Sequence, residues 1–313
     1  MQVPDFRRSR RARRQSWYGA KKHVKTALSL PVLHPLMRLV APRIPRITVR
    51  RLPAPRRLRE VRGYAGGAGF VMVRPDRCEI AKELYWGHGH RPDPQDALAL
   101  EVMTALAKQA RTFLDIGAYT GVFTLAAAAA NQHIRAHAYE IVPPVALALR
   151  ANVERNRIAD RTTVHHVGVG DPATTMRVPT SDDGSALPSF YSSDMAFDEG
   201  TTVGFVSLDS LTDEVRGPVA MKVDIEGGEA SLFGHGQEFL ARHRPDILCE
   251  VLPDADASAL AALLAPHGLR YYVVGAQALE PRNALEPDAA YRDWFFSPRT
   301  PEELRKLGVP VAG

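Results

Sequence analysis

Cysteine is nearly absent: Cys78 and Cys249 are the only two in 313 residues. That excludes a disulfide framework and a four-cysteine zinc site, and it fits a reducing, cytoplasmic setting. Long apolar runs are missing as well. The nearest, TALSLPVLHPLMRLV, is interrupted by Pro31, His34, Pro35 and Arg38, so nothing approaches the ~18 residues that a membrane span requires. The same stretch lacks a small-residue cleavage site, which argues against a leader peptide. With 45% apolar and 24% charged residues, the chain has the composition of a globular protein of one or two domains.

Charge is plentiful but uneven. Residues 1–62 carry eighteen Lys and Arg against Asp5 and Glu60, while the remainder is acidic on balance, so the net +5 describes neither part. Residues 1–60 read as a basic, Arg/Pro-rich arm. Trp17 and Tyr18 sit beside its Arg cluster, and Leu28, Leu30, Val32, Leu33, Leu36 and Met37 follow. A plain solvated tail is the first reading of this arm; basic residues followed by apolar ones also suit peripheral contact with an anionic membrane surface, and RNA would attract the same charge.

Residues 61–313 read as one domain in which strands and helices alternate. TFLDIG, IRAHAYEI, TTVHHVGVGD, VAMKVDIEG and DILCEVLP are strand-like, with LRYYVVG and DWFFSP as two last strands. GVFTLAAAAANQ, PPVALALRANVERNRI, EASLFGHGQEFLARH and ASALAALLAPHG are helical between them. The alternation predicts a doubly wound α/β fold with a mostly parallel central sheet, whose ligand binds beyond the carboxyl ends of the strands. Residues 179–204, rich in Ser, Asp and Gly and holding Phe190, Tyr191 and Phe197, interrupt the pattern. They read as a functional loop that forms the acceptor side of the cleft together with residues 83–96.

The first strand ends in Asp115-Ile-Gly117-Ala118-Tyr-Thr-Gly121. No Lys-Ser/Thr follows Gly121, so this is not a phosphate loop, and the third glycine of a dinucleotide fingerprint is missing. A carboxylate at this mouth repels a pyrophosphate and suits a ligand with cationic groups. S-adenosylmethionine, with its sulfonium and amine, fits that demand. Glu140 ends the next strand, about 20 residues on, where such folds place a carboxylate on ribose hydroxyls. Further along, Lys222 and Asp224 lie two apart in MKVDIEGGE and share one side of the sheet. Asp224 and Glu226 are acids suited to orienting or deprotonating a hydroxyl, and a Lys222–Asp224 ion pair is the structural alternative. Glu250 ends the following strand. Two carboxylates alone do not specify Mg²⁺, so no metal is assigned. His88 and His90 read as loop histidines without a third ligand.

Taken in order, FLDIGAYTGVFTL, AYEIVPPVALALRANVERN, VGVGD, VSLDSL, MKVDIEGGEASLF and ILCEV resemble the FkbM family of S-adenosylmethionine-dependent methyltransferases, over residues 95–298. The block Lys222–Glu229 is the most specific part. Asn152 and Asn156 match two asparagines of the family, whereas Tyr119 stands where it usually has Asn. The resemblance implies a Rossmann-like class I methyltransferase that methylates an oxygen of a sugar, glycolipid or natural product. On this reading Asp115, Gly117, Ala118, Gly121, Glu140 and Asp171 bind the cofactor, Asp171 against the adenine. Asp224, Glu226 and Lys222 act on the acceptor. RNA ribose methylation and a non-catalytic cofactor-binding module are the alternatives. Nucleic acid is not the expected partner: neither cysteine follows a proline and no Asn/Asp-Pro-Pro-Tyr follows the fourth strand, which argues against amino-group and ring-carbon methylation of bases though not against ribose methylation.

Overall fold

The computed structural model describes residues 34, 37, 38, 52–55, 57–180 and 200–313. A hairpin, β1 (Glu60–Ala65) and β2 (Ala68–Val73), leads into α1 (Glu79–Trp86) and α2 (Pro94–Ala107). Then come β3 (Thr112–Ile116), α3 (Val122–Ala130), β4 (Arg135–Tyr139), α4 (Pro143–Arg155) and β5 (Thr162–His165). A small set follows: β6 (Gly168–Val169), β7 (Thr175–Pro179) and β8 (Gly200–Val206). The second half holds β9 (Val219–Val223), α5 (Glu229–Gly234), α6 (Gln237–His243), β10 (Asp246–Glu250) and α7 (Ala257–Leu264). It closes with β11 (Arg270–Val274), β12 (Leu279–Arg282), β13 (Asp293–Ser297) and α8 (Pro301–Lys306).

The main sheet has the order β12-β11-β13-β10-β9-β3-β4-β5. Strands β5, β4, β3, β9 and β10 are parallel, while β13 runs antiparallel between β10 and β11. Strand residues alternate between two cores. Phe113, Ala220, Leu248 and Phe295 join the core under α2 and α3, whereas Leu114, Met221, Ile247 and Phe296 join the core under α5, α6 and α7. Asp115 and Lys222, paired across β3 and β9, share the α3 side with Phe113 and Ala220. The order reverses between β3 and β9, and such a switch point is where open α/β sheets form their ligand crevice.

Several elements depart from the sequence reading for identifiable reasons. The helix expected over 229–243 breaks at Gly234–Gly236, where His235 N closes onto Ser231 O and Gly236 carries on as the next N-cap. The interruption expected at 179–204 is strand at both ends, β7 pairing antiparallel with β8; residues 181–199, with Phe190, Tyr191 and Phe197, lie outside the described residues. The β2 edge is closed by side chains of α4 instead of by another strand. Asn156 Oδ1 accepts from Val71 N at 2.8 Å, Asn152 Oδ1 accepts from Val73 N at 2.7 Å, and Asn152 Nδ2 donates to Thr120 O at 2.8 Å. The two asparagines thus tie the hairpin to the glycine turn.

Most of the basic arm lies outside the described residues. Packing nonetheless begins before residue 60: Ala54 is buried, and Met37 and Leu52 rest on the cluster of Tyr85 and Trp86. The His34 ring stands 5.5 Å from Trp86, and Arg38 lies over Tyr85 and reaches His88 Nδ1 at 2.9 Å. His88 is therefore engaged by the arm, and no metal ligand set forms around it among the described residues.

Candidate active site

The glycine turn is built by backbone sterics. Gly117 has φ +74, and a Cβ there would stand 1.8 Å from Asp224 O, so β3 and β9 approach too closely for any side chain. Gly121, the N-cap of α3 at φ +88, faces Leu149 Cδ1 at 2.3 Å in the same sense. Tyr119 also adopts a left-handed φ, +50. Asn tolerates that region better than other non-glycine residues, which explains the family's preference there, and Tyr119 holds it because its N–H is bound by Glu140. Ala118 is buried, its N–H donating to Tyr139 O at 2.9 Å.

Asp115 was expected among the residues that bind the cofactor. Instead it is 1% exposed, and its Oδ2 accepts from Thr124 N at 3.0 Å and Thr124 Oγ1 at 2.6 Å, fastening α3 to β3. Burial raises its pKa, against the nearby Lys222 charge and the Thr124 bonds. The residues that line the crevice beside it are Ile116, Gly117 and Tyr119.

Glu140 does face the crevice. Its Oε2 accepts from Tyr119 N at 2.9 Å and its Oε1 from Val142 N at 2.8 Å, so one carboxylate joins the glycine turn to the start of α4. Burial pushes its pKa up to about 7, despite those two bonds. The crevice has a volume of about 400 Å³, and Val145, Val169, Met176 and Phe205 supply much of its apolar wall. Met176 and Phe205 come from β7 and β8, which flank the stretch 179–204 expected as a loop and run into its two ends. Asp171 does not reach the crevice. Its Oδ1 accepts from Ala173 N at 2.8 Å and lies 3.7 Å from His235 Nε2, because the chain turns outward after β6. Gly170 and Ser231 line the wall at that level instead.

Carboxylates gather at the other rim. Lys222, 6% exposed, donates from Nζ to Gly117 O at 2.7 Å and pairs with Asp224 Oδ2 at 3.1 Å. Burial opposes its charge, but Asp224 and Asp115 outweigh burial and raise its pKa. Both Asp224 and Glu226 line the crevice. Glu226 sits at φ +52, its Oε2 is buried without a hydrogen-bond partner, and burial followed by the Asp224 charge raises its pKa to about 6. Glu250 pairs with Arg292 and its pKa is raised by burial, then by Asp224 and Glu226. Asp293, opposite Glu250 on β13, is pushed to about 7 by burial and then by Asp224 and Asp96; the sequence offered no signal for it, since only the antiparallel pairing brings it here. Oxygens of Asp224, Glu226 and Glu250 lie within 4.8 Å of one another, a spacing that could hold a divalent cation. Residues 83–96 do not line the crevice; Arg91 is locked there by Glu83 and Asp96, both at 2.8 Å.

A sheet of this order, with a glycine turn and an acid on successive strand ends at its switch point, defines a class I methyltransferase fold. A family model described as the methyltransferase FkbM domain matches residues 115–271, and the chain belongs to that family. Membership brings S-adenosylmethionine as the cofactor. No curated protein matches the chain. Among solved structures, an FkbM methyltransferase from Methylobacillus flagellatus KT is 18% identical over 60% of this chain and 44% of its own, with a TM-score of 0.41. An S-adenosylmethionine-dependent O-methyltransferase from Thermotoga maritima is 14% identical over 74% of each chain, with a TM-score of 0.38. An O-methyltransferase from Bacillus cereus, in complex with SAH, is 16% identical over 65% of this chain and 80% of its own, with a TM-score of 0.36. No helix among the described residues is long and apolar enough to cross a membrane.

Proposed function

We propose that the protein transfers a methyl group from S-adenosylmethionine to a hydroxyl oxygen of a sugar or natural product, glycolipids included. The observation that carries this reading is the rim of the crevice, where Glu226 keeps an unpartnered carboxyl oxygen beside Asp224. The chain fits the cofactor. Gly117 lines the crevice at the end of β3, Glu140 is the acceptor for its hydroxyls, and the apolar wall suits a flat heterocycle. When bound, the cofactor supplies an electrophilic methyl on a sulfonium. The chain aligns the acceptor and removes its proton. Glu226, with a pKa near 6, ionises close to neutral pH and is the base; Asp224 orients the hydroxyl. Lys222 is a positioning residue that holds Asp224 against the glycine turn.

Transfer of labelled methyl to a fractionated cell extract, sorted into lipid, small-molecule and RNA pools, tests the acceptor class. Glu226→Gln tests the base. It should keep cofactor affinity and lose ~10²–10⁴-fold in turnover. Label confined to RNA would overturn the acceptor class, and parental turnover in the variant would remove Glu226 from the chemistry.

A further inference from the structure

Each of the six strands that run in one direction starts beside an arginine: Arg161 before β5, Arg135 on β4, Arg111 before β3, Arg216 before β9, Arg244 before β10 and Arg270 on β11. The backbone makes the first four neighbours. Ala136 N donates to Arg161 O and Arg135 N to Arg111 O, both at 2.9 Å, and Thr112 Oγ1 donates to Arg216 O at 2.7 Å. Arg244 Nη2 lies against the Gly268 turn that leads to Arg270, which continues the row. All but Arg161 are exposed. Arg135 and Arg161 each donate to a main-chain oxygen, of Asp160 and Ala128. Arg111, Arg216, Arg244 and Arg270 form no salt bridge among the described residues. Asp213 and Asp246, acids of this edge, are already paired with Arg242 and Arg299, leaving Asp160, Glu214 and Glu303 as partial counterweights.

We propose that this row is a track for the phosphate backbone of single-stranded nucleic acid. A guanidinium matches a phosphate with two parallel donors. At ~4.8 Å per strand the row runs on the order of 30 Å, the width of the sheet. Successive strands rotate by ~20–25°, so the row winds instead of lying in a plane. A flexible strand can follow such a line, whereas a flat bilayer meets only its middle. Among the described residues, the exposed large apolar ones, Tyr64 and Leu147, lie on β1 and α4, so these supply the row with neither a stacking platform nor an insertion wedge. Binding through it is therefore sequence-neutral and salt-sensitive. The row lies at the amino ends of the strands, opposite the crevice, so the bound strand is not the acceptor and the proposal stands apart from the methyl-transfer reading.

Fluorescence anisotropy of a labelled oligouridylate with the full chain, across a salt series, tests this. Arg111→Gln, Arg216→Gln and Arg244→Gln combined should flatten the slope of log K against log salt by about 2, at ~0.7 per lost contact. Calorimetric cofactor affinity should not change, which shows that the variant is folded. A parallel variant with Arg7, Arg8 and Arg10 changed to Gln separates the arm's contribution. An unchanged slope in the row variant would overturn the proposal. So would row-dependent binding to phosphatidylserine vesicles without binding to the oligonucleotide.

Discussion

If Glu140 accepts the cofactor hydroxyls as proposed, cofactor affinity should depend on pH. Its carboxyl is 8% exposed and has a pKa of about 7, burial being the main cause. Hydroxyl donors bind a carboxylate far better than a carboxylic acid, so the cofactor selects the ionised form. With that pKa, the ionised fraction climbs from about one-tenth at pH 6 to about nine-tenths at pH 8. Affinity for S-adenosylmethionine should rise roughly tenfold over that interval, or ~1.4 kcal/mol, and level off above it. Glu140→Gln keeps the shape and one acceptor oxygen but cannot titrate. At the upper pH it loses a charged acceptor, ~1.5–3 kcal/mol, or about ten- to a hundredfold in affinity. Calorimetry of both proteins across the interval gives the ratio of their affinities, and the cofactor's own ionisation cancels from that ratio. The ratio should widen with pH. Parallel pH curves for the two proteins would refute the assignment of Glu140 to the cofactor hydroxyls.

Raised carboxyl pKa values also act on the fold. Glu140, Glu226 and Asp293 keep protons in the folded state at pH values where the unfolded chain has released them, so stability falls as pH climbs from about 4.5 through about 7. Thermal melts of the cofactor-free protein should show a higher Tm near about pH 5 than near about pH 8, and a flat profile would contradict the burial of these groups. Gly117→Ala places a Cβ 1.8 Å from Asp224 O at φ +74; it should destabilise the chain by several kcal/mol or abolish cofactor binding, and a parental melt with parental affinity would disprove the close approach. For the arm we propose peripheral contact with anionic membrane. Co-sedimentation with phosphatidylserine vesicles should weaken when Arg7, Arg8, Arg10, Arg11, Arg13 and Arg14 become Gln. Substitution is the cleaner perturbation, because truncation near Arg62 would cut into β1 and remove the buried Ala54.

The strand-and-helix alternation was legible because each buried strand is a short apolar run with a glycine or acid at its end. The place of Glu140 at the crevice was legible for the same reason: it follows a strand directly, and the carboxyl ends of parallel strands share one edge. Asp115 was not. Whether an acid at a strand end meets a ligand or a helix depends on the path of the turn after it, and three left-handed residues, Gly117, Tyr119 and Gly121, fold α3 back over Asp115. Residue types do not announce that path. Asp293 and the arginine row were hidden for a different reason. Their neighbours are distant in the chain, and only the strand order assembles them. Asn152 and Asn156 were visible as a pair one helical turn apart, but their partners are backbone groups of β2, which carry no sequence signature.

Lys222 shows why the site cannot be divided residue by residue. Among the described residues its ammonium is the one cation reaching the Gly117 carbonyl and the Asp224 carboxylate together, and Asp115 lies beside it across the β3–β9 pairing. Remove it, and two buried or half-buried carboxylates lose their compensating charge while the turn loses its brace. Loss of one partner from a buried ion pair costs more than the pair itself contributes. Activity lost in a Lys222 variant would therefore reflect displacement of the glycine turn, which Glu140 also holds through Tyr119 N, as much as any effect on Asp224. The two walls of the crevice share that turn: one side of it is fixed by Glu140, the other by Lys222. The close passage of Gly117 past Asp224 leaves no room for a side chain between the two halves, so a change on either side of the turn bears on the other.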